Sequence, residues 1–171
     1  MTQMKISEIY ETMEYSPAVE SSELAMKWLK NHKYKFGLFI NGEWIKPKSG
    51  KSFTTINPAT GEKLASISEA GERDVLLSVK AAKEAYKSWN VLSNHERARY
   101  LYAIARQLQK HSRLFAVLET LDNGKTIRES RDIDIPLSIR HFYHHAGWAQ
   151  ILENEFADYT PIGPVGQIIP W

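Results

Sequence analysis

Apolar and polar positions change their period several times along the chain, and each change marks an element. In "SSELAMKWLKNHKYK" Leu24 and Trp28 fall one helical turn apart, with Ser21 or Ser22 placed to cap the first turn. A helical preface over residues 1–35 is therefore expected. "LFINGEWI" then brackets Asn41-Gly42 with apolar residues. Both turn residues tolerate positive φ, as a type I′ turn requires, so a tight hairpin is predicted. A second extended pair follows in "SFTTINPATGEKLASIS", reversed between Pro58 and Gly61.

The middle of the chain takes a helical period. Val75, Val79, Ala82, Tyr86 and Trp89 recur at alternating steps of four and three, one stripe of an amphipathic helix. Ser93 and Glu96 then have the spacing of a capping box, in which each end residue satisfies a backbone donor of the other. The helix they open runs its face through Leu101, Ile104, Leu108, His111, Phe115 and Leu118 and is predicted to close at Gly124. A third helix is expected over residues 130–152, with Pro136 in its first turn or at a kink. The last stretch, "EFADYTPIGPVGQIIPW", is extended, and Pro161 and Pro164 confine it to an edge or a strand start. Helices feeding a continuous Val/Ile run predict an α/β fold, whose parallel strands are buried on both faces.

Composition narrows the class. With 43% hydrophobic and 25% charged residues over 171 positions, one soluble globular domain with a sizeable core is expected. Uncharged stretches fall short of the ~20 apolar residues that span a membrane. Lys5, Glu8, Glu11 and Glu14 leave no secretory apolar segment at the start. A net charge of +2, with both signs interleaved, predicts no nucleic-acid surface. The sequence has no cysteine, so these residues form no disulfide, no thiolate metal site and no thiol nucleophile; a cytoplasmic location is expected.

Two clusters carry candidate chemistry. His141, His144 and His145 share a helical face, and imidazoles four apart can ligate zinc. The Glu of an HExxH motif is missing, however, and Phe142, Tyr143 and Trp148 favour packing of this face. Asp132 and Asp134 suit paired acid/base carboxylates, or, more simply, acids favouring the positive end of a helix that starts at Pro136. "GPVG" is no GxGxxG fingerprint, and no GxxxxGK[ST] loop occurs. Spacing alone ends at an α/β domain without a complete catalytic set.

Five stretches in series carry more. "FINGEW", "INPATGEKLASI", "LETLDNGKTIRES", "HFYHHAGWA" and "GPVGQIIPW" resemble, in order, the opening hairpin, the Asn-Pro-x-Thr-Gly-Glu turn, the long-helix end, the following helix and the first cofactor strand of the aldehyde dehydrogenase superfamily. "EIYETMEYSPAVESSELAMKWL" is similar to the N-terminal extension of family 16 members. The resemblance implies the N-terminal part of that fold: β-hairpins, three helices and the first strand of a Rossmann-like cofactor domain. Residues 1–35 would be the extension, 36–171 the opening of the cofactor-binding domain, and 151–163 an oligomerisation-arm segment. The activity implied for the complete parent is NAD- or NADP-dependent oxidation of an aldehyde to a carboxylic acid. A cysteine attacks the aldehyde, a glutamate activates water, and an asparagine after "GQIIPW" helps hold the oxyanion.

Carried over by residue, Ile168, Ile169, Pro170 and Trp171 would line the cofactor cleft, at a strand end where such ligands sit. Thr55, Ile56 and Asp122 would match a monovalent-cation site made of two carbonyls and a carboxylate. No catalytic position falls within the chain, which is expected to be a truncated, silent fragment binding no cofactor alone; the parent is expected to be a homo-oligomer acting on an aldehyde, without nucleic acid or membrane. Two rivals stand beside this reading: a non-catalytic binding or scaffold module from the same family, and a zinc module built on the histidines.

Overall fold

The computed structural model describes residues 21–169. Most of the helical preface and of the family 16 likeness therefore lies outside the described residues, as do Pro170 and Trp171. Helix α1 (Glu23–Asn31) forms where a helix was expected. Ser21 does the capping, its Oγ accepting from the Glu23 N–H at 3.2 Å. The face differs from the expected one: Ala25 and Leu29 are buried, Trp28 is half-buried, and Leu24 is 52% exposed. The stripe is rotated by one position because the Trp28 ring turns to a neighbour, stacking on Phe36 at 5.4 Å.

Strands β1 (Lys35–Phe36), β4 (Ser52–Ile56) and β5 (Lys63–Ser68) make one sheet in the order β1-β5-β4. β5 runs parallel to β1 and antiparallel to β4. Lying between both, β5 holds the sheet's buried residues, Leu64 and Ala65. Strands β2 (Leu38–Ile40) and β3 (Glu43–Ile45) form the separate predicted hairpin, with Asn41 at φ 55° and Gly42 at φ 80°. Gly37 joins the two sheets where a Cβ would come within 2.7 Å of the Ile45 carbonyl oxygen, so only glycine fits.

Helix α2 (Glu72–Asn90) has the expected stripe, but the stripe is uncovered among the described residues: Val75, Val79, Ala82 and Trp89 are exposed, and Tyr86 is half-buried. Its buried residue is Asp74, at 1% exposure. The Asp74 carboxylate accepts from the N–H groups of Gly71 and Lys48, both at 3.0 Å, and so fastens the first turn of the helix to the segment after the hairpin.

The single long helix expected next is two. Helix α3 (Asn94–Lys110) opens on the predicted capping box, Ser93 Oγ accepting from the Glu96 N–H and Glu96 Oε2 from the Ser93 N–H. It stops at His111, whose backbone (φ −108°, ψ 17°) leaves the helical region before α4 (Ser112–Asn123) begins. The buried positions are also smaller than the predicted face. Ala98 and Ala105 of α3 and Ala116 and Val117 of α4 are buried, whereas Ile104 and Phe115 are exposed.

Beyond Gly124, a short α5 (Ile127–Glu129) passes through a π-helical turn at Ser130–Asp134 into α6 (Ile135–Glu155). Pro136 explains the wide turn. It lacks an N–H, and its ring would crowd the carbonyl four residues back in a regular helix. α6 then packs along α3 more extensively than any other two elements pack, with Ile139 and Ala146 buried. Tyr143 donates to Gln109 Oε1 across this seam at 3.2 Å.

After α6 the chain turns at residues 157–158, the Tyr159 N–H bonding the Phe156 carbonyl at 3.0 Å, and residues 159–169 form neither helix nor strand, contrary to the strand predicted there. Ile162, Val165, Ile168 and Ile169 are exposed. A parallel strand is held by neighbours on both sides, and none of β1–β5 lies beside this run. No described helix is long and apolar enough to cross a membrane.

Two outcomes test this packing. Ala105→Leu forces a larger side chain into the α3–α6 seam and should cost about 1–3 kcal/mol, read by urea unfolding. Asp74→Asn should lower the thermal midpoint and flatten its acid dependence. The Gly71 N–H first, and the Lys48 N–H second, hold the Asp74 carboxyl below its ordinary 3.8. A depressed folded value means a contribution present above the unfolded pKa of about 3.9 and lost as pH falls below it. The wild-type-minus-variant difference, followed by thermal melts from neutral to acid pH, should shrink over that window.

Candidate functional site

The reversal between β4 and β5 meets the end of α4, and this is where sequence motifs far apart in the chain converge. In the β4–β5 turn the Asn57 carbonyl accepts from the Gly61 N–H at 2.8 Å, and Asn57 Oδ1 accepts from the Ala59 N–H at 3.0 Å. Gly61 closes the turn at φ 73°. α4 ends at Gly124 in the left-handed region (φ 85°, ψ 6°), its N–H returning to the Thr120 carbonyl. A Cβ at Gly124 would sit 3.0 Å from Pro58 Cγ, so the helix cap and the turn are in direct contact.

One strand back, Thr55 Oγ1 donates to Asp122 Oδ1. The ladder shifts register between Thr55, opposite Ala65, and Ile56, opposite Lys63, so the two predicted carbonyl ligands flank an irregularity. Thr55 and Asp122 are thus brought together across sheet and helix, while the Ile56 side chain points into solvent and has only its carbonyl to offer. A carboxylate, a hydroxyl and carbonyls are hard oxygen donors, and that donor set fits a hard cation. Below them lies a cavity of about 290 Å³ between the sheet and α4, lined by Trp28, Phe36, Leu64, Phe115, Leu118 and Ile135, with Thr55 and Asp122 on its wall.

Lys125 secures the same corner from outside. Its Nζ reaches Asp134 Oδ2 at 2.9 Å and Glu119 Oε1 at 3.2 Å. Those two bonds, the one to Asp134 first, raise the Lys125 pKa above its ordinary 10.5. The paired-carboxylate idea fails here on partners. Asp134 faces Lys125, whereas Asp132 is gripped by Arg131, Nε to Oδ1 at 2.6 Å and Nη2 to Oδ2 at 2.8 Å. Arg131 thereby holds the Asp132 carboxyl below its ordinary 3.8.

The histidines do not pack inward as their aromatic neighbours suggested. His141, His144 and His145 are all exposed on α6, while Phe142 and Tyr143 turn partly inward. Among the described residues no three His, Cys, Asp or Glu side chains converge on a possible ion position, so the zinc module in its closed, tetrahedral form is not built. Ile168 and Ile169 stand in solvent, Ile168 at 99% exposure, with no partner wall beside them. Upstream the run is anchored where Tyr86 Oη donates to the Pro161 carbonyl at 3.3 Å.

The convergence of the Asn-Pro-Ala-Thr-Gly turn on the α4 end coincides with what the chain is similar to. The profile described as "Aldehyde dehydrogenase family" matches residues 44–171. The chain belongs to the aldehyde dehydrogenase family. It is 42% identical over 146 residues to the putative aldehyde dehydrogenase DhaS of Bacillus subtilis, covering 78% of this chain and 30% of that protein. Among solved structures, an NAD+ complex of aldehyde dehydrogenase from Bacillus cereus is 38% identical with a TM-score of 0.66, over 70% of this chain and 25% of that one. HpcC from Thermus thermophilus is 33% identical with a TM-score of 0.73, over 81% of this chain and 27% of that one. The chain thus spans less than a third of the length of these three proteins, and its α/β architecture is a part of theirs.

Sequence reasoning missed the Gly124–Pro58 contact, although both residues had been singled out, one as a cap and the other as a turn. The missing signal was the pairing of two local motifs, which no periodicity carries. Gly124→Ala should cost about 1–2 kcal/mol for the left-handed backbone alone, and more for crowding Pro58. Gly61→Ala is the control, since φ is positive there too but nothing lies within 4 Å of a Cβ. Urea unfolding should show the larger loss at Gly124.

Proposed function

We propose that these residues are the opening of the cofactor-binding part of an NAD- or NADP-dependent aldehyde dehydrogenase that oxidises an aldehyde to a carboxylic acid. The observation that carries the reading is the family match across residues 44–171, continuous through both halves of the turn-and-cap corner. In this reading the α4 end and the β4–β5 turn are scaffold. Thr55, Ile56 and Asp122 hold a monovalent cation that stiffens that corner. Ile168, Ile169, Pro170 and Trp171 form one wall of a cofactor cleft, whose bound nicotinamide accepts hydride. The parent is a cytoplasmic homo-oligomer, with residues 151–163 contributing to contact between copies.

Residues 1–171 by themselves are catalytically silent. They contain no cysteine to attack an aldehyde, and a serine or threonine hydroxyl without a partnered base is a poor substitute. Loss of a single oxyanion donor alone typically costs about a hundred- to thousandfold in rate. Cofactor binding is weak for a related reason: only one wall of the cleft would be present.

The test is absorbance of reduced nicotinamide with several aldehydes and either cofactor, beside calorimetric titration of NAD. The 171-residue chain should give no turnover above background and no tight binding. Turnover that survives removal of host dehydrogenases would overturn the silent reading. The coding sequence beyond Trp171 tests the parent: an in-frame continuation that opens with asparagine and supplies a cysteine is expected, and a stop codon there favours the scaffold reading instead.

A further inference from the structure

The three exposed histidines of α6 are not equivalent, and their hydrogen bonds sort them. His145 Nδ1 lies 2.7 Å from the His141 backbone carbonyl. A carbonyl only accepts, so Nδ1 carries the proton and the Nε2 lone pair of His145 is left facing outward. His144 takes the same tautomer, but its Nε2 lone pair is already used. The Trp148 indole N–H, which can only donate, sits 2.9 Å from His144 Nε2 and occupies that lone pair. His141 and His145 are one turn apart with ring centroids separated by 6.2 Å. Each ring nitrogen stands about an ångström outside its centroid, so with His145 held, modest χ rotation of His141 lets the two Nε2 atoms share an ion at about 2.0–2.1 Å.

We infer that His141 and His145 form a two-histidine chelate for a borderline divalent transition cation, zinc, nickel or copper, on the exposed face of α6. Imidazole nitrogens select these metals over magnesium or calcium. The bond from His145 Nδ1–H to the backbone is the outer contact that metal-bound histidines commonly make, fixing tautomer and ring orientation before the ion arrives. With two protein ligands, water completes the coordination, which makes the site open and separate from the closed zinc module that the described residues do not build. The ligands span one helical turn, so the ion ties that turn together, and the site is independent of the dehydrogenase reading.

Titration of the purified 171-residue chain with zinc chloride, followed by calorimetry and by thermal melting, tests the assignment. The wild type should bind one equivalent and melt higher with zinc, because an ion that binds only the folded helix stabilises it by mass action. His141→Gln and His145→Gln should each weaken binding by at least about tenfold, the lower end of what even an outer-contact change costs. His144→Gln should leave it unchanged. His32, His95 and His111 remain in every variant as the background. Circular dichroism without metal confirms that each variant keeps its helices. Equal zinc affinity in the His141→Gln/His145→Gln double variant, or a loss in His144→Gln as large as in His145→Gln, would overturn the chelate.

Discussion

The close approach of α3 and α6 is the constraint on which the remainder of the helical layer depends. Of the buried apolar side chains in these two helices, Ala98, Ala105 and Ala146 are the smallest type available, and Ile139 is the exception. Small residues let two helix backbones come near enough for dispersion to act along the whole seam. That closeness dictates the connections. α3 cannot run on unbroken through Phe115 and still lie beside α6, so the chain turns at His111, and α4 crosses to the sheet side with Ala116 and Val117 inward. The return is made at Gly124 and widened through the π-helical turn, which delivers Pro136 to the start of α6 without a clash.

Local chemistry was legible in the sequence, and long-range packing was not. Asn41-Gly42, Pro58 to Gly61, the Ser93–Glu96 box and the Gly124 cap each depend on a few neighbouring residues whose backbone needs are nearly independent of the fold. All four form as expected. The helix faces went differently. A stripe read by hydrophobicity favours Ile104 and Phe115 over alanine, whereas a tight seam selects for the side chain that allows approach. Leu24 lost its place to Ala25 for a comparable reason, once Trp28 turned towards Phe36. The two-residue β1 was illegible outright, since pairing with β5 comes from a contact thirty-one positions away in register, Lys35 to Ser66.

The candidate site shows the same division. Family likeness named Thr55 and Asp122 as ligands of one ion through a carbonyl and a carboxylate; what joins them in the structure is a hydrogen bond from the Thr55 hydroxyl to the Asp122 carboxylate. Nothing in the local pattern of either motif announces that Pro58 will press on Gly124. Contact between motifs is a tertiary fact, visible from sequence only where a relative supplies it. The strand expected at Val165 to Ile169 illustrates the other limit. Its apolar run states what the segment requires, burial on both faces, but a strand is a property of a pair, and no described strand pairs with it.

Three charged side chains hold joints of the described fold. Asp74 fastens α2 to the segment after the hairpin, Lys125 ties α4 to the π-helical turn through Glu119 and Asp134, and Glu96 closes the head of α3. The Ser93 N–H and hydroxyl hold the Glu96 carboxyl below its ordinary 4.5, as backbone donors do for Asp74. Solvent-exposed ion pairs contribute little to stability by themselves, so the value of Lys125 lies in geometry: a cation between two acids fixes the angle at which α4 leaves for α6. Each shifted acid owes its shift to a cation or donor that holds it in place, and none to a second carboxylate sharing its site. Acid/base chemistry on a protein generally needs the opposite arrangement, titrating groups pushed apart by each other or by burial and left free to exchange a proton. The acids described here are pinned, and pinned acids build a scaffold.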